Sequence, residues 1–98
     1  MKLKILELAF LEIEDGREYY NLQQEKLGDK FKKEIQKSIN RILLTPKLYP
    51  KTRNDIRRCL LHKFPYSLFY TIDIDTIVIL SVAHQRRKPY YWIDDRKM

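Results

Sequence analysis

His84-Gln85-Arg86-Arg87-Lys88 is the densest concentration of chemistry in the sequence. An imidazole that exchanges protons near neutral pH stands close to two guanidiniums, which grip phosphate bidentately, and an ammonium. Tyr90, Tyr91 and Trp92 follow with planar faces on which bases could stack. These are the parts of a metal-free ribonuclease: one group to take a 2′-hydroxyl proton, one to protonate the leaving oxygen, and cations for the phosphorane. Within that chemistry His84, Arg87 and Tyr91 are the candidate catalytic residues, and Arg57, Arg58, Lys63, Arg86 and Trp92 the candidate binding residues. The same stretch also allows a structural reading, in which residues 89–92 fold back as a hydrophobic clasp and the arginines only face solvent.

Other signatures are missing. The sequence has no glycine-rich phosphate loop, CxxC pair, HExxH or nucleophile elbow. Neither a cofactor nor a metal is therefore expected. Cys59 sits between Arg58 and Leu60 in an apolar run and reads as a buried structural thiol, since a reactive cysteine needs exposure and a depressed pKa. His62 has no evident partner and reads as a surface histidine.

With 98 residues, 44% of them hydrophobic and 34% charged, the chain is expected to be one domain with one modest core. One cysteine cannot make an internal disulfide, no apolar run approaches the length of a bilayer span, and Glu7 interrupts the N-terminal leucines. A cytoplasmic protein without a membrane partner is the expectation. The net charge of +7 is uneven: residues 1–50 carry ten basic and eight acidic side chains, residues 51–98 ten basic and five acidic. A positive field concentrated in the second half attracts nucleic acid or an acidic protein.

Elements must hold the charged tail in place. Alternation in Lys2–Ile5 predicts a short first strand. From Ala9 the spacing turns helical, with Ala9, Ile13, Gly16 and Tyr20 on one stripe and Glu12, Glu14, Asp15 and Glu18 facing away. Gly16 on that stripe implies close packing. The connection 23–29 places Gly28 for positive φ and Asp29 as a cap. Leu27, Phe31, Ile35, Ile39, Ile42 and Leu43 then define a second helix that stops at Thr45-Pro46. Lys26, Lys30, Lys33, Lys37 and Arg41 read as its solvated face.

Residues 46–54 read as an irregular connection. Strands are expected over 55–64, 66–73 and 76–83, turning at Phe64-Pro65 and at Asp73-Ile74-Asp75-Thr76. The last strand, apolar on both parities, belongs in the sheet interior beside the first. The class is α+β: a strand, an antiparallel two-helix hairpin and a three-stranded antiparallel meander, with the helices on one sheet face. The other face would be a concave, partly aromatic surface bordered by Arg57 or Arg58, Lys63 and the tail.

The β-α-α-β-β-β order, the Arg57-Arg58 pair, KFPYSLFY at 63–70, and ILSVAHQRRKPYYW at 79–92 resemble the RelE/ParE superfamily of type II toxins, often called plasmid stabilisation proteins. AFLEIEDGREYYNLQQEKLGDKF resembles that family's helical hairpin. The resemblance implies a growth-arresting toxin neutralised by a cognate antitoxin in a hetero-oligomer. Its target is either DNA gyrase, by a non-hydrolytic ParE-like route, or mRNA on the ribosome, by a RelE-like endoribonuclease. RelE-like chains carry an arginine directly after the tyrosine that opens the third strand and another basic residue just after the fourth. Ser67 and Gln85 occupy those positions here, while the tail tyrosine is retained as Tyr91. Losing a central stabiliser of this kind costs roughly 3–4 kcal/mol in comparable sites, which favours the non-hydrolytic branch.

Overall fold

The computed structural model describes residues 1–88 and 90–93. Strand β1 (Lys2–Ile5) leads into helices α1 (Glu7–Gln23) and α2 (Leu27–Leu44). Strands β2 (Lys51–Arg53), β3 (Ile56–Leu60), β4 (Tyr66–Asp73) and β5 (Thr76–His84) follow. They form one mixed sheet in the order β1-β5-β4-β3-β2, with β1 parallel to β5 and the other pairs antiparallel. The expected α+β class is observed, with β5 in the interior beside β1. One difference is the extra edge strand β2 within the stretch read as irregular. Another is the length of β3, which ends at Leu60, so that 61–65 form the turn and Lys63 takes a positive φ of 70°.

The helical pair covers one sheet face. Ala9, Ile13 and Tyr20 of α1 meet Phe31, Ile35, Ile39 and Ile42 of α2 over Cys59, Leu68, Tyr70, Ile77, Ile79 and Val82 of the sheet. A Cβ at Gly16 would lie 2.7 Å from Phe31 Cε2, so the glycine permits the helix contact its position on the stripe implied. Gly28 works in the same way and not through positive φ: its own Cβ would lie 2.1 Å from the Arg17 carbonyl oxygen. The left-handed residue of the hairpin is Lys26, at φ 66°. Asp29 makes no cap; Asn21, reaching across from α1, accepts the Gly28 N–H at 2.7 Å. Asp29 instead pairs with Arg17 at 3.3 Å.

The opposite sheet face is not left open. Val78, Leu80 and Ala83 are covered by Trp92, which is 1% exposed, with Leu6, Ile56, Phe69, Tyr90, Tyr91 and Ile93 around them. Apolar residues on both parities of β5 are thereby explained, since helices cover one side and the chain's own tail the other. Between Phe69 and Tyr70 the β4–β5 register slips: Phe69 faces Ser81 while Tyr70 faces Ile79, leaving Leu80 as an inserted residue. A bulge of this kind frees backbone groups beside it and re-aims the strand end. Here it lies directly upstream of His84.

Candidate functional site

Beyond the bulge, β5 ends at His84 and the chain turns through 85–87. The Arg87 N–H closes that turn on the His84 carbonyl at 3.0 Å. Tyr90 adopts φ 58°, which reverses the tail so that Tyr91 and Trp92 run back over the sheet. Two shallow grooves flank this corner. One, of ≈ 300 Å3, is lined by Arg58, Leu60, Ser67, Phe69, His84, Gln85, Arg87, Lys88, Tyr90 and Trp92 among others. Toward α1 lies the other, of ≈ 250 Å3, with Glu12, Asp15, Tyr19, Tyr66, His84, Arg87 and Tyr91 on its walls. His84 and Arg87 form the ridge between them.

Glu12 organises the α1 side. Oε1 accepts the Ser81 hydroxyl at 3.0 Å and the Val82 N–H at 3.1 Å, both beside the bulge, while the Tyr91 phenol donates to Oε2. The Arg87 guanidinium lies over the Tyr91 ring, 4.1 Å from its centroid, a favourable charge–quadrupole contact. His84 packs edge-on against Tyr66 at 5.1 Å, and its Nδ1 accepts the Arg86 N–H at 3.0 Å. With Nδ1 accepting, the neutral ring carries its proton on Nε2, which is then a donor and not a base. Burial, and then the nearby Tyr20 and Tyr19 phenols, push Tyr66 up to about 12. Tyr66 is thus a neutral donor at ordinary pH.

Arg58 does face the tail side, where it lines the ≈ 300 Å3 groove together with Arg87 and Lys88. Arg57 has the other parity. It pairs with the buried Tyr70, and its Nη1 donates to the carbonyls of Lys47 at 3.1 Å and Tyr49 at 2.6 Å, which ties down the 46–50 loop. Lys63 lies elsewhere, beside Glu34 of α2 at 3.8 Å, and does not border the tail surface. Arg86 is exposed, joined to His84 through its backbone. Trp92 offers no stacking face to a ligand because it is the centre of the clasp, and its Nε1 finds no acceptor among the described residues. Pro89, the first residue of the expected clasp, lies outside the described residues.

Glu12 and Arg53 were not expected at the site. Glu12, read with Glu14, Asp15 and Glu18 as facing away, instead reaches the sheet, because three residues after Ala9 and four before Gly16 it flanks the buried stripe. Arg53 lies in β2 with its guanidinium 5.1 Å from the centre of the Tyr90 ring. Cys59 is buried, and its burial pushes the thiol up, as a structural role requires. Among the described residues there is no cluster of groups able to hold a metal, and no helix is long and apolar enough to cross a membrane.

The helical pair on a five-stranded mixed sheet is a fold this chain shares with solved toxins of the ParDE and RelE systems. The chain superposes on a chain of the chromosomal ParDE toxin–antitoxin system from P. aeruginosa with a TM-score of 0.65 and 18% identity, covering 86% of this chain and 95% of that one. Against the isolated E. coli RelE toxin the TM-score is 0.64 at 19% identity, over 96% and 94% of the two chains. A RelE double arginine-to-alanine mutant from E. coli, in complex with a peptide of the antitoxin RelBc, gives 0.63 at 18%, over 98% and 94%. No curated protein matches the chain. The family model for the ParE toxin of the type II parDE toxin–antitoxin system matches residues 3–89, and the chain belongs to that family.

Proposed function

We propose that this type II toxin arrests growth without hydrolysis, by poisoning DNA gyrase, and that a cognate antitoxin neutralises it in a hetero-oligomer. The observation that supports the non-hydrolytic reading is that the acceptor Nδ1 of His84, the Glu12 carboxylate and the Tyr91 phenol are already engaged within the protein. The Nδ1 atom of His84 is taken by a backbone N–H, the Tyr91 phenol is bound to Glu12, and Glu12 also holds Ser81 and Val82. General base catalysis needs an acceptor within hydrogen-bond reach of the attacking hydroxyl. Ser67, in place of the arginine that a RelE-like chain carries, is buried and adds no charge to the groove. What remains is a cationic, partly aromatic surface suited to binding. The RelE relative complexed with an antitoxin peptide supports the antitoxin as partner, as does the net charge of +7.

A ribosome-dependent mRNA endoribonuclease is the second reading. It is favoured by the gathering of Arg58, His84, Arg87 and Lys88 around one groove of ≈ 300 Å3. Incubation with gyrase and plasmid DNA, and separately with translating ribosomes, separates the two. Gyrase-dependent double-strand breaks with intact mRNA are expected. Cleavage of mRNA in the ribosomal A site, lost in His84→Ala or Arg87→Ala, with gyrase unaffected, would establish the second reading instead.

A further inference from the structure

Helix α1 carries two apolar stripes, and the fold uses one of them. Ala9, Ile13, Gly16 and Tyr20 are buried against α2 and the sheet. Leu8, Leu11, Tyr19 and Leu22 lie on the solvent side, at steps of three and four residues through Asp15, and are 39%, 46%, 55% and 83% exposed. Isolated exposed leucines are ordinary on a protein surface. A row of four along about 21 Å of one helix is a contiguous apolar strip of the kind that marks a contact site.

The charge beside this strip is opposite to that of the molecule as a whole. Helix α1 bears five acidic side chains and one basic one, in a chain whose net charge is +7. Glu14 is paired with Lys32 at 2.9 Å and with Arg17 at 3.7 Å. Glu7, Asp15 and Glu18 are exposed and have no ion pair among the described residues. By helical spacing Glu7 and Glu18 flank the strip and Asp15 lies within it. A second copy seated α1 on α1 would set these carboxylates against themselves, and an acidic protein would be repelled equally. Anionic lipid is disfavoured for the same reason, since helices that lie on membranes carry lysine and arginine beside the apolar face.

We propose that the outer face of α1 docks a basic amphipathic helix of a partner protein. Apolar side chains of that helix seat along Leu8, Leu11, Tyr19 and Leu22 as in a two-helix seam, while its lysines or arginines meet Glu7, Asp15 and Glu18. Asp15 and Tyr19 also wall the ≈ 250 Å3 groove at His84, so the bound helix borders the candidate site without filling it. The inference is independent of the gyrase and ribosome readings.

The test titrates the isotopically labelled full-length protein with a synthetic peptide of about four turns, with leucine at heptad spacing and lysine beside it. Two control peptides are used, one with glutamate for lysine and one scrambled so that no apolar stripe remains. Amide shifts should centre on Leu8, Leu11, Glu18 and Leu22, with affinity falling as salt rises. Both controls should bind about tenfold more weakly or worse. Glu7→Gln/Glu18→Lys should lose about tenfold in affinity or more. Leu11→Gln/Leu22→Gln, which keeps helix propensity at exposed positions, should lose as much with its Tm unchanged. Equal binding of either control, shifts centred on His84 or on the α2 lysines, or an unchanged affinity in either variant would overturn the proposal. Sedimentation of the protein alone and with anionic vesicles tests the other occupants, and a monomer that stays off the vesicles is expected. Self-association or vesicle binding abolished by Leu11→Gln/Leu22→Gln would assign the strip to a second copy or to lipid and overturn the proposal as well.

Discussion

Replacing Glu12 by alanine removes the acceptor on which three donors converge: the Ser81 hydroxyl, the Val82 amide and the Tyr91 phenol. A hydrogen bond to a charged group contributes about 1.5–3 kcal/mol, and each buried donor left unpaired costs about 1–3 kcal/mol. Glu12 is only half-buried, so water replaces part of what is lost. The expected destabilisation is about 2–4 kcal/mol, well below the sum of three separate bonds, because donors sharing one acceptor are not additive. In a domain this small, that lowers Tm by roughly 10–30 °C. Tyr91→Phe removes one donor and should cost about 1–2 kcal/mol. The double variant should then be little worse than Glu12→Ala alone, giving a coupling of about 1–2 kcal/mol in a urea-unfolding cycle. Trp92 is the only tryptophan and sits in the clasp, so its fluorescence reports tail release directly. A Glu12→Ala protein within about 0.5 kcal/mol of wild type, the ordinary range of an inconsequential surface change, or strictly additive single effects, would refute this account of how the tail is held.

Three further outcomes are expected. Helix propensity alone makes Gly→Ala stabilising by about 1 kcal/mol, yet Gly16→Ala should destabilise by about 1–3 kcal/mol through collision with Phe31. Gly28→Ala should cost more, since its Cβ meets backbone; thermal unfolding that ranks Gly16→Ala as the more harmful would contradict this. Ile74 holds φ 56° at 94% exposure, a conformation costing a β-branched residue about 1–2 kcal/mol, so Ile74→Gly should raise stability by about 0.5–1 kcal/mol once the entropy of glycine is counted. A lower urea midpoint would show that the turn is not strained. Burial pushes Tyr66 and Tyr70 up to about 12 from the ordinary 10. Between those values the unfolded chain releases phenol protons that the folded chain keeps, so stability is intact below about pH 10 and declines from about pH 10 to 12. Tyr66→Phe/Tyr70→Phe should flatten that decline, and an unchanged pH slope would refute the assignment.

Much of the scaffold was legible because its pattern is local. The 27–43 repeat specified α2, the alternation from Tyr66 specified β4, and the two-sided apolarity of residues 77–82 placed β5 in the sheet interior, although the face expected to stay open is covered by the tail. Legibility failed where a residue's role depends on a distant partner. Gly28 and Asp29 look like turn and cap residues in sequence, but a side chain from the preceding helix supplies the cap and an inter-helix contact explains the glycine. The three-residue strand β2 is too short and too charged to show a period. For the candidate site, Arg58, His84, Arg87 and Tyr91 do meet at one corner, whereas Arg57 and Lys63 were assigned to a surface that β3 and its turn direct them away from.

The sequence by itself determined the α+β class, the order of its main elements, the family and the tail as the place where cations and aromatics collect, because these follow from periodicity, composition and contiguous motifs. Only the tertiary structure decided what the tail does there. Trp92 became core, Tyr91 was bound to Glu12 across 79 residues of chain, and His84 was turned so that a backbone amide occupies Nδ1. The physical reason is the bulge at Phe69/Tyr70. Its position along β5 sets which way the strand end points and which backbone donors Glu12 must satisfy, and no local pattern in the sequence encodes a slip between two strands.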